Sequence, residues 1–266
     1  MRVFKHWVRY RKEIKISGTL QDIHLYGGSN ISEEDAERDA EKRARSLAER
    51  INQGLRYGSD YEADIVEEII EEIDENNIVT RNRYGALVLN SRNLMFIDID
   101  SVRLSVWNLF FRGKLSRKEK MLIHIEKVIK NKKYERSSFR LYETFKGYRL
   151  LVTDKHYNPK SKESKSIMRD FGADRLYYML CVKQNCFRAR LTPKPFRIDH
   201  ETPKIIFPDR DTKEEIAHSN WVAEYEDKSQ EFSTCNLVKS YGRAVYSRAI
   251  TYHDRITKIN HHSKLG

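Results

Sequence analysis

Phe96-Ile97-Asp98-Ile99-Asp100 is the stretch on which the reading of this chain turns. Apolar residues alternate with two carboxylates at the end of what reads as a buried strand. Side chains two apart on a strand share a face, so Asp98 and Asp100 are expected to stand side by side. Adjacent carboxylates repel each other unless something positive sits between them. A divalent cation is the common partner, and Mg²⁺ held by one or two carboxylates is the usual companion of phosphate chemistry. The plainer alternative is that both residues cap a strand end and bond to backbone amides or arginines.

Charge is distributed unevenly around this pair. The chain has 266 residues and a net charge of +11. Residues 1–100 carry 15 basic and 20 acidic side chains, residues 101–200 carry 25 and 9, and residues 201–266 carry 10 of each. The acidic pair therefore stands at the threshold of a block near +16. Such a block beside paired carboxylates points to a polyanionic partner, with nucleic acid the commonest. A solvated basic face without a partner is the competing explanation.

Composition excludes several classes. Hydrophobic content of 39% and 15 tyrosines suit a folded chain with a sizeable core. No apolar run approaches the ~20 residues of a membrane span. The N-terminal Met1 to His6 lacks a signal-peptide core. A cytoplasmic protein without a membrane partner is expected. Cys181, Cys186 and Cys235 form no disulfide framework and no zinc-finger spacing, so reduced structural thiols are expected.

Upstream of the pair, Val8 to Ile16 and Gln21 to Tyr26 read as strands around a turn. Ser32 is an N-cap with Asp35 as its capping-box partner, and Ala36, Ala40, Ala44, Leu47, Ala48 and Ile51 make a helical stripe closed by Gly54. Gly58 to Tyr61 reads as a hinge. Residues 62–76 carry Ile65, Val66, Ile69, Ile70 and Ile73 at spacings that predict an amphipathic helix with an acidic face. Ile78–Thr80, Tyr84–Leu89 and Leu94–Asp98 read as strands. The link Arg81-Asn82-Arg83-Tyr84-Gly85 mixes cations, an amide and an aromatic, a composition that suits a phosphate or base as well as an ordinary turn.

Downstream, Leu104 to Phe111 is apolar and aromatic, and a helix follows from about Arg117 to Asn131. Phe139–Thr144 and Tyr148–Thr153 predict a hairpin around Lys146-Gly147. A lysine-rich loop leads into short helices through Cys181. Arg188 and Arg190 then share one strand face, and Lys194 and Arg197 follow on a backbone stiffened by Pro193 and Pro195. Cations on rigid backbone suit phosphates better than cations on a mobile tail. Residues 211–231 and 242–258 read as helices. His261-His262 near the end mimics a metal pair, but an unanchored tail rarely holds one.

Three pieces in order carry a resemblance. They are the strand ending in Asp98-Ile99-Asp100, the segment Tyr142 to Val152 about 40 residues on, and the Phe187 to Lys194 arginine strand. Together they resemble the catalytic core of the archaeo-eukaryotic primase superfamily, the primase-polymerases, over roughly residues 78–200. The segments Arg81 to Asn90 and Arg188 to Arg197 also resemble an uncharacterised bacterial family. The primase resemblance implies that Asp98 and Asp100 bind Mg²⁺ or Mn²⁺ and that the later hairpin touches an incoming nucleotide. It further implies that a third carboxylate completes the site and that a basic strand holds triphosphate or template. Arg149 stands where those enzymes often have His; arginine grips phosphate but cannot act as a neutral acceptor. For the third carboxylate, Asp174 is preferred over Glu143 and Asp199.

The expected architecture is α+β. A central mixed or antiparallel sheet is covered by helices, with an N-terminal strand-strand-helix unit (1–57), a primase-like core (62–200) and a helical C-terminal segment (201–266). The expected function is metal-dependent nucleotidyl transfer of primase-polymerase type, with DNA or RNA and nucleoside triphosphates as partners. Asp98, Asp100 and Asp174 are the candidate catalytic residues. Arg81, Arg83, Lys146, Arg149, Arg188, Arg190, Lys194 and Arg197 are the candidate nucleotide and nucleic-acid contacts. Nucleic-acid binding without catalysis, on a degenerate primase-like scaffold, and metal-dependent nuclease action are the alternatives.

Overall fold

The structure, a computed structural model, describes residues 1–16, 18–54, 63–100, 115–205, 207–260 and 263–266. In chain order its strands and helices are β1 (His6–Ile16), β2 (Thr19–Ser29), α1 (Glu33–Asn52), β3 (Glu68–Asp74), β4 (Asn77–Arg81), β5 (Leu87–Ser91), β6 (Met95–Ile99), α2 (Arg117–Ile129), β7 (Phe139–Thr144), β8 (Tyr148–Val152), α3 (Lys162–Asp170), α4 (Arg175–Gln184), β9 (Phe187–Arg190), α5 (Thr212–Ser229), β10 (Phe232–Ser233), β11 (Cys235–Tyr241), α6 (Arg248–Thr257) and β12 (Lys264–Leu265). The class is α+β, as expected. No helix among the described residues is long and apolar enough to cross a membrane.

The N-terminal unit follows from small residues on two facing surfaces. β1 and β2 pair antiparallel in unbroken register from His6↔Ser29 to Ile16↔Thr19. α1 starts where the Ser32 hydroxyl accepts the Asp35 amide at 3.2 Å. Asp35 turns its own carboxylate to Arg38, so only the serine half of the expected capping box forms. Ala36, Ala40, Ala44 and Ala48 make a flat buried stripe. Opposite them only glycine fits at position 27, where a Cβ would lie 2.0 Å from the Ala36 carbonyl oxygen.

Two four-stranded antiparallel sheets build the core, in the orders β3-β4-β5-β9 and β11-β7-β8-β6. The stretch from β6 to β9 follows a β-α-β-β-α-β succession, with two short helices, α3 and α4, in the second crossover. β8 pairs with β6 so that Asp98 stands directly opposite Arg149 and Ile99 opposite Tyr148. On its other edge β6 is hydrogen-bonded by α4 and its cap residue, and by no strand among the described residues. The Tyr177 hydroxyl donates to the Phe96 carbonyl at 2.7 Å, and the Asp174 amide donates to the Asp98 carbonyl at 3.2 Å. Orphaned edge carbonyls are thereby satisfied.

The main core gathers Phe96, Ile97, Ile99, Leu141, Tyr142, Leu150, Leu151, Phe171 and Phe187, all fully buried. Tyr134, Phe139 and Phe171 form an aromatic triangle with centroids 5.2–6.0 Å apart. Each fully buried large apolar side chain contributes about 1.5–3 kcal/mol. β6 is thereby anchored by its buried apolar side chains, and Asp98 stands between two of them.

Two sequence expectations are corrected. The helix predicted across 62–76 is strand β3, paired with β4. Its register shifts between Ile69 and Glu71 and again between Glu72 and Asp74. Bulges of this kind break the two-residue alternation and leave an apolar spacing that imitates a helix. The C-terminal stretch is not wholly helical either. β11 joins the central sheet beside β7, again with a register shift between Leu237 and Lys239, and α6 begins only at Arg248 behind the Ser247 cap. The expected hinge at Gly58–Tyr61, the stretch Leu104–Phe111 and His261–His262 lie outside the described residues.

Candidate phosphate and metal site

Asp98 and Arg149 form the floor of the site. Arg149 Nε donates to Asp98 Oδ1 at 2.9 Å across the β6–β8 ladder. Arg149 is 2% exposed, whereas the Asp98 side chain keeps 32% of its surface. Burial works against the guanidinium charge; Asp98, with Cys235 and Tyr177, more than restores it, and the Arg149 pKa rises. Arg149 Nη1 also donates to the Arg190 carbonyl at 2.8 Å, tying β8 to β9.

The same guanidinium lies 3.5 Å from His253 Nε2. His253 is fully buried against Phe96 and Tyr142, and its Nδ1 is 3.0 Å from Asp254 Oδ1. Burial holds its pKa below the ordinary value, with Arg149 acting in the same direction. A neutral ring that donates from Nδ1 to Asp254 fits both neighbours. Tyr142 also donates to Asp254 at 2.9 Å, and Arg140 pairs with the same carboxylate. Arg149 is thus fastened from behind.

Asp100 lies one residue beyond the end of β6 and is exposed to solvent. Desolvation by the surrounding protein pushes its pKa up; Asp98 and Asp174 push the same way, while Lys146 and Arg197 oppose them. Two carboxylates, Asp98 and Asp174, thus act on Asp100 at the end of β6. Asp174 is there because it caps α4, accepting the Tyr177 amide at 2.9 Å while its own amide bonds to Asp98. Arg117 donates to the Asp100 carbonyl. The β7–β8 turn presses on the same backbone, and a Cβ at Gly147 would lie 2.2 Å from the Ile99 carbonyl oxygen.

Four cations crowd beside the carboxylates. Burial, then Arg149 and Arg197, lower the Arg190 pKa to about 10. Lys194 is lowered by burial and by Arg190, Arg197 and Lys146. Arg197 is lowered by burial, with Asp100 opposing. Arg190 and Arg197 both reach toward the Gly266 carbonyl, at 3.5 and 3.4 Å. Depressed basic groups with like-charged neighbours mark a place where an anion would relieve repulsion.

The other expected contacts are elsewhere engaged. Arg81 is buried; it donates to the Gly85 carbonyl at 2.9 Å and to Glu226 at 3.1 Å. Arg188 is held by both oxygens of Glu67, at 2.8 and 2.6 Å, and by Gln184. Both are internal clamps and present nothing to a ligand. Arg83 is exposed and lies over Tyr84 at 4.9 Å. Glu143 pairs with Lys118 at 2.5 Å, while the Asp174 amide bonds to the Asp98 carbonyl at 3.2 Å. Among the described residues, no group of three or more His, Cys, Asp or Glu is arranged to hold a metal ion. The cysteines are free and buried, and burial raises Cys181 to about 12 and Cys186 and Cys235 to about 11, as structural thiols require.

Sequence reasoning missed His253 and Tyr177. Both act by supporting Arg149 and β6 from elements distant in sequence, and no local pattern announces that role. Phe145 adjoins the turn pair Lys146-Gly147, and that position is the signal in the sequence that separates it from core aromatics. No protein-family model, no curated protein and no solved structure matches this chain.

Proposed function

We propose that this protein is a metal-dependent nucleotidyltransferase of primase-polymerase type. The observation that carries the reading is the meeting of opposite charges at the end of β6. Asp174 is bonded through its amide to the Asp98 carbonyl, and Asp98 and Asp174 act on the Asp100 carboxyl from one side while Lys146 and Arg197 act on it with the opposite sign. Carboxylates alone would suit a cation, and lysines and arginines alone a polyanion. Side by side they suit a metal–triphosphate.

The residues fit Mg²⁺ or Mn²⁺ in the manner usual for phosphate sites, where one or two carboxylates share the ion with water and substrate phosphates. Asp100, solvent-open and under like-charge pressure, is the principal ligand candidate. Asp98 contributes through the oxygen not bonded to Arg149. Bound there, the ion would neutralise phosphate charge and help to deprotonate an attacking hydroxyl. Arg149 keeps Asp98 in one orientation. Lys146, Arg190, Lys194 and Arg197 supply the charge that would hold a triphosphate or a nucleic-acid backbone.

A second reading, nucleic-acid binding without synthesis, is favoured by one specific observation. Arg149 already neutralises Asp98, so the acidic pair has an internal partner. A template-dependent incorporation assay with labelled nucleotides and Mg²⁺ or Mn²⁺ separates the two. Incorporation by the wild type and its loss in Asp100→Asn supports transfer. Tight oligonucleotide binding with no incorporation under either metal leaves binding alone. Shortening of the labelled strand instead would identify a nuclease.

A further inference from the structure

Four large aromatics are exposed among the described residues, namely Tyr84, Phe145, Phe196 and Tyr246. Three of these four gather beside the cation cluster. Phe145 is on the β7–β8 turn, 47% exposed, with the Arg197 guanidinium 4.4 Å from its ring centroid. Phe196 is 59% exposed, with Lys194 at 5.6 Å. Tyr84 is 40% exposed under Arg83 at 4.9 Å.

Three separate segments bring them together. Arg197 and Phe196 sit on the short helical turn Pro195–Arg197, which Phe145 meets from the hairpin through Arg197. The turn bearing Tyr84 is joined to the segment leading to Lys194, since the Leu87 amide donates to Thr192 Oγ1 at 2.8 Å. Tyr84 is also within electrostatic reach of Lys194. Phe196 lines a shallow depression with His200, Thr202 and Pro203.

A single exposed ring is ordinary, whereas three of them beside one cation cluster make a patch suited to a ligand. A cation over each ring is an arrangement that attracts anions and offers flat surfaces at once. Proteins that hold single strands combine a basic track for the backbone with aromatic faces for splayed bases. Duplex bases are stacked on one another and do not offer their faces.

We propose that Tyr84, Phe145 and Phe196 form a stacking platform for a single-stranded nucleic acid, its phosphates running along Lys146, Lys194 and Arg197. The proposal rests on the functional reading above for its substrate class, and it adds a strand form and three contact residues. It concerns affinity for the strand and not the transfer step.

Fluorescence anisotropy of the full chain with labelled 12-mers tests it, using oligo-dT, oligo-rU and a mixed-sequence duplex across salt. Tighter binding of a single strand than of the duplex at equal salt is expected, and the dT and rU arms show which sugar is preferred. Phe145→Ala and Phe196→Ala should each weaken single-strand binding about 5–150-fold, the equivalent of one lost stacked base, with the salt slope unchanged. Phe145→Leu keeps apolar bulk without a flat face and should weaken binding similarly, which guards against a folding artefact. Lys194→Met should instead flatten the salt slope by about 0.7.

Wild-type single-strand affinity in Phe145→Ala, Phe196→Ala and Phe145→Leu alike, or equal affinity for duplex, overturns the platform. Incorporation by the wild type together with unaltered oligonucleotide affinity in the variants sinks the platform and leaves nucleotidyl transfer standing. Weakened variants with no incorporation by the wild type do the reverse.

Discussion

Asp98 and Arg149 face each other across the β6–β8 ladder, Nε to Oδ1 at 2.9 Å, with the arginine sealed from solvent. The pair makes Asp98 structural as well as a candidate ligand. Asp98→Ala would leave a buried guanidinium with the Arg190 carbonyl and His253 as its hydrogen-bonding partners among the described residues. The expected cost is about 2–4 kcal/mol, toward the low end for a broken buried pair because Asp98 keeps a third of its side chain in water. Urea denaturation checks it; a midpoint equal to the wild type would show that the pair holds nothing. Loss of activity in Asp98→Ala alone is therefore a poor test of chemistry, and Asp100 is the cleaner target.

Asp100 gives a prediction with a definite sign. Its folded pKa lies above the ordinary 3.8, so the fold favours the protonated form. Its contribution to stability is fully present below the unfolded value and is lost as pH rises through the folded value. In EDTA at neutral pH, Asp100→Asn should therefore unfold at higher denaturant than the wild type, and the difference should close near about pH 3. Added Mg²⁺ should stabilise the wild type and leave Asp100→Asn unmoved. A variant less stable than the wild type at neutral pH would contradict this electrostatic description.

Arg188 and Lys194 should separate cleanly. Arg188→Met strands Glu67 in a largely buried setting and should cost about 3 kcal/mol, while the affinity for a nucleoside triphosphate stays within about twofold. Lys194, lowered by burial and three cationic neighbours, gains from their removal or from an anion. Lys194→Met should not destabilise the fold and should weaken triphosphate binding about tenfold or more, the 1.5–3 kcal/mol of one charged contact. Calorimetric titration and denaturation of both variants check the pattern, and the opposite assignment of effects would remove Lys194 from the site.

Gly147 carries the position of Asp100. A methyl group there meets the Ile99 carbonyl, which is backbone and cannot swing aside. Gly147→Ala should cost about 1–3 kcal/mol as overpacking and weaken metal-dependent triphosphate binding. A crystal structure of the variant with β6 and the β7–β8 turn undisplaced would contradict the role given to this contact.

How much of this was legible in the sequence depends on how local each signal is. The β6 run announced itself because alternation and burial lie within five residues, and the β7–β8 hairpin because Lys146-Gly147 marks its turn. Asp174 was preferred by distance in sequence, and its capping of α4 brings it to the Asp98 backbone. β3 and β11 were hidden by register shifts that erase the period of two. Arg188 and Arg190 looked equivalent, two apart on one strand, and are not. Glu67, on a segment read as helix, closes over one of them. Partners of that kind depend on tertiary packing, which charge patterning along the chain does not encode.

The most direct measurement is calorimetric titration of a non-hydrolysable nucleoside triphosphate, with and without Mg²⁺, into the wild type and Asp100→Asn. If the acidic pair and the cation cluster are one site, the wild type binds at least tenfold more tightly with Mg²⁺ and Asp100→Asn loses that gain. Binding that is indifferent to the metal and to Asp100 would contradict it, and the carboxylates at the end of β6 would then be no part of a phosphate site.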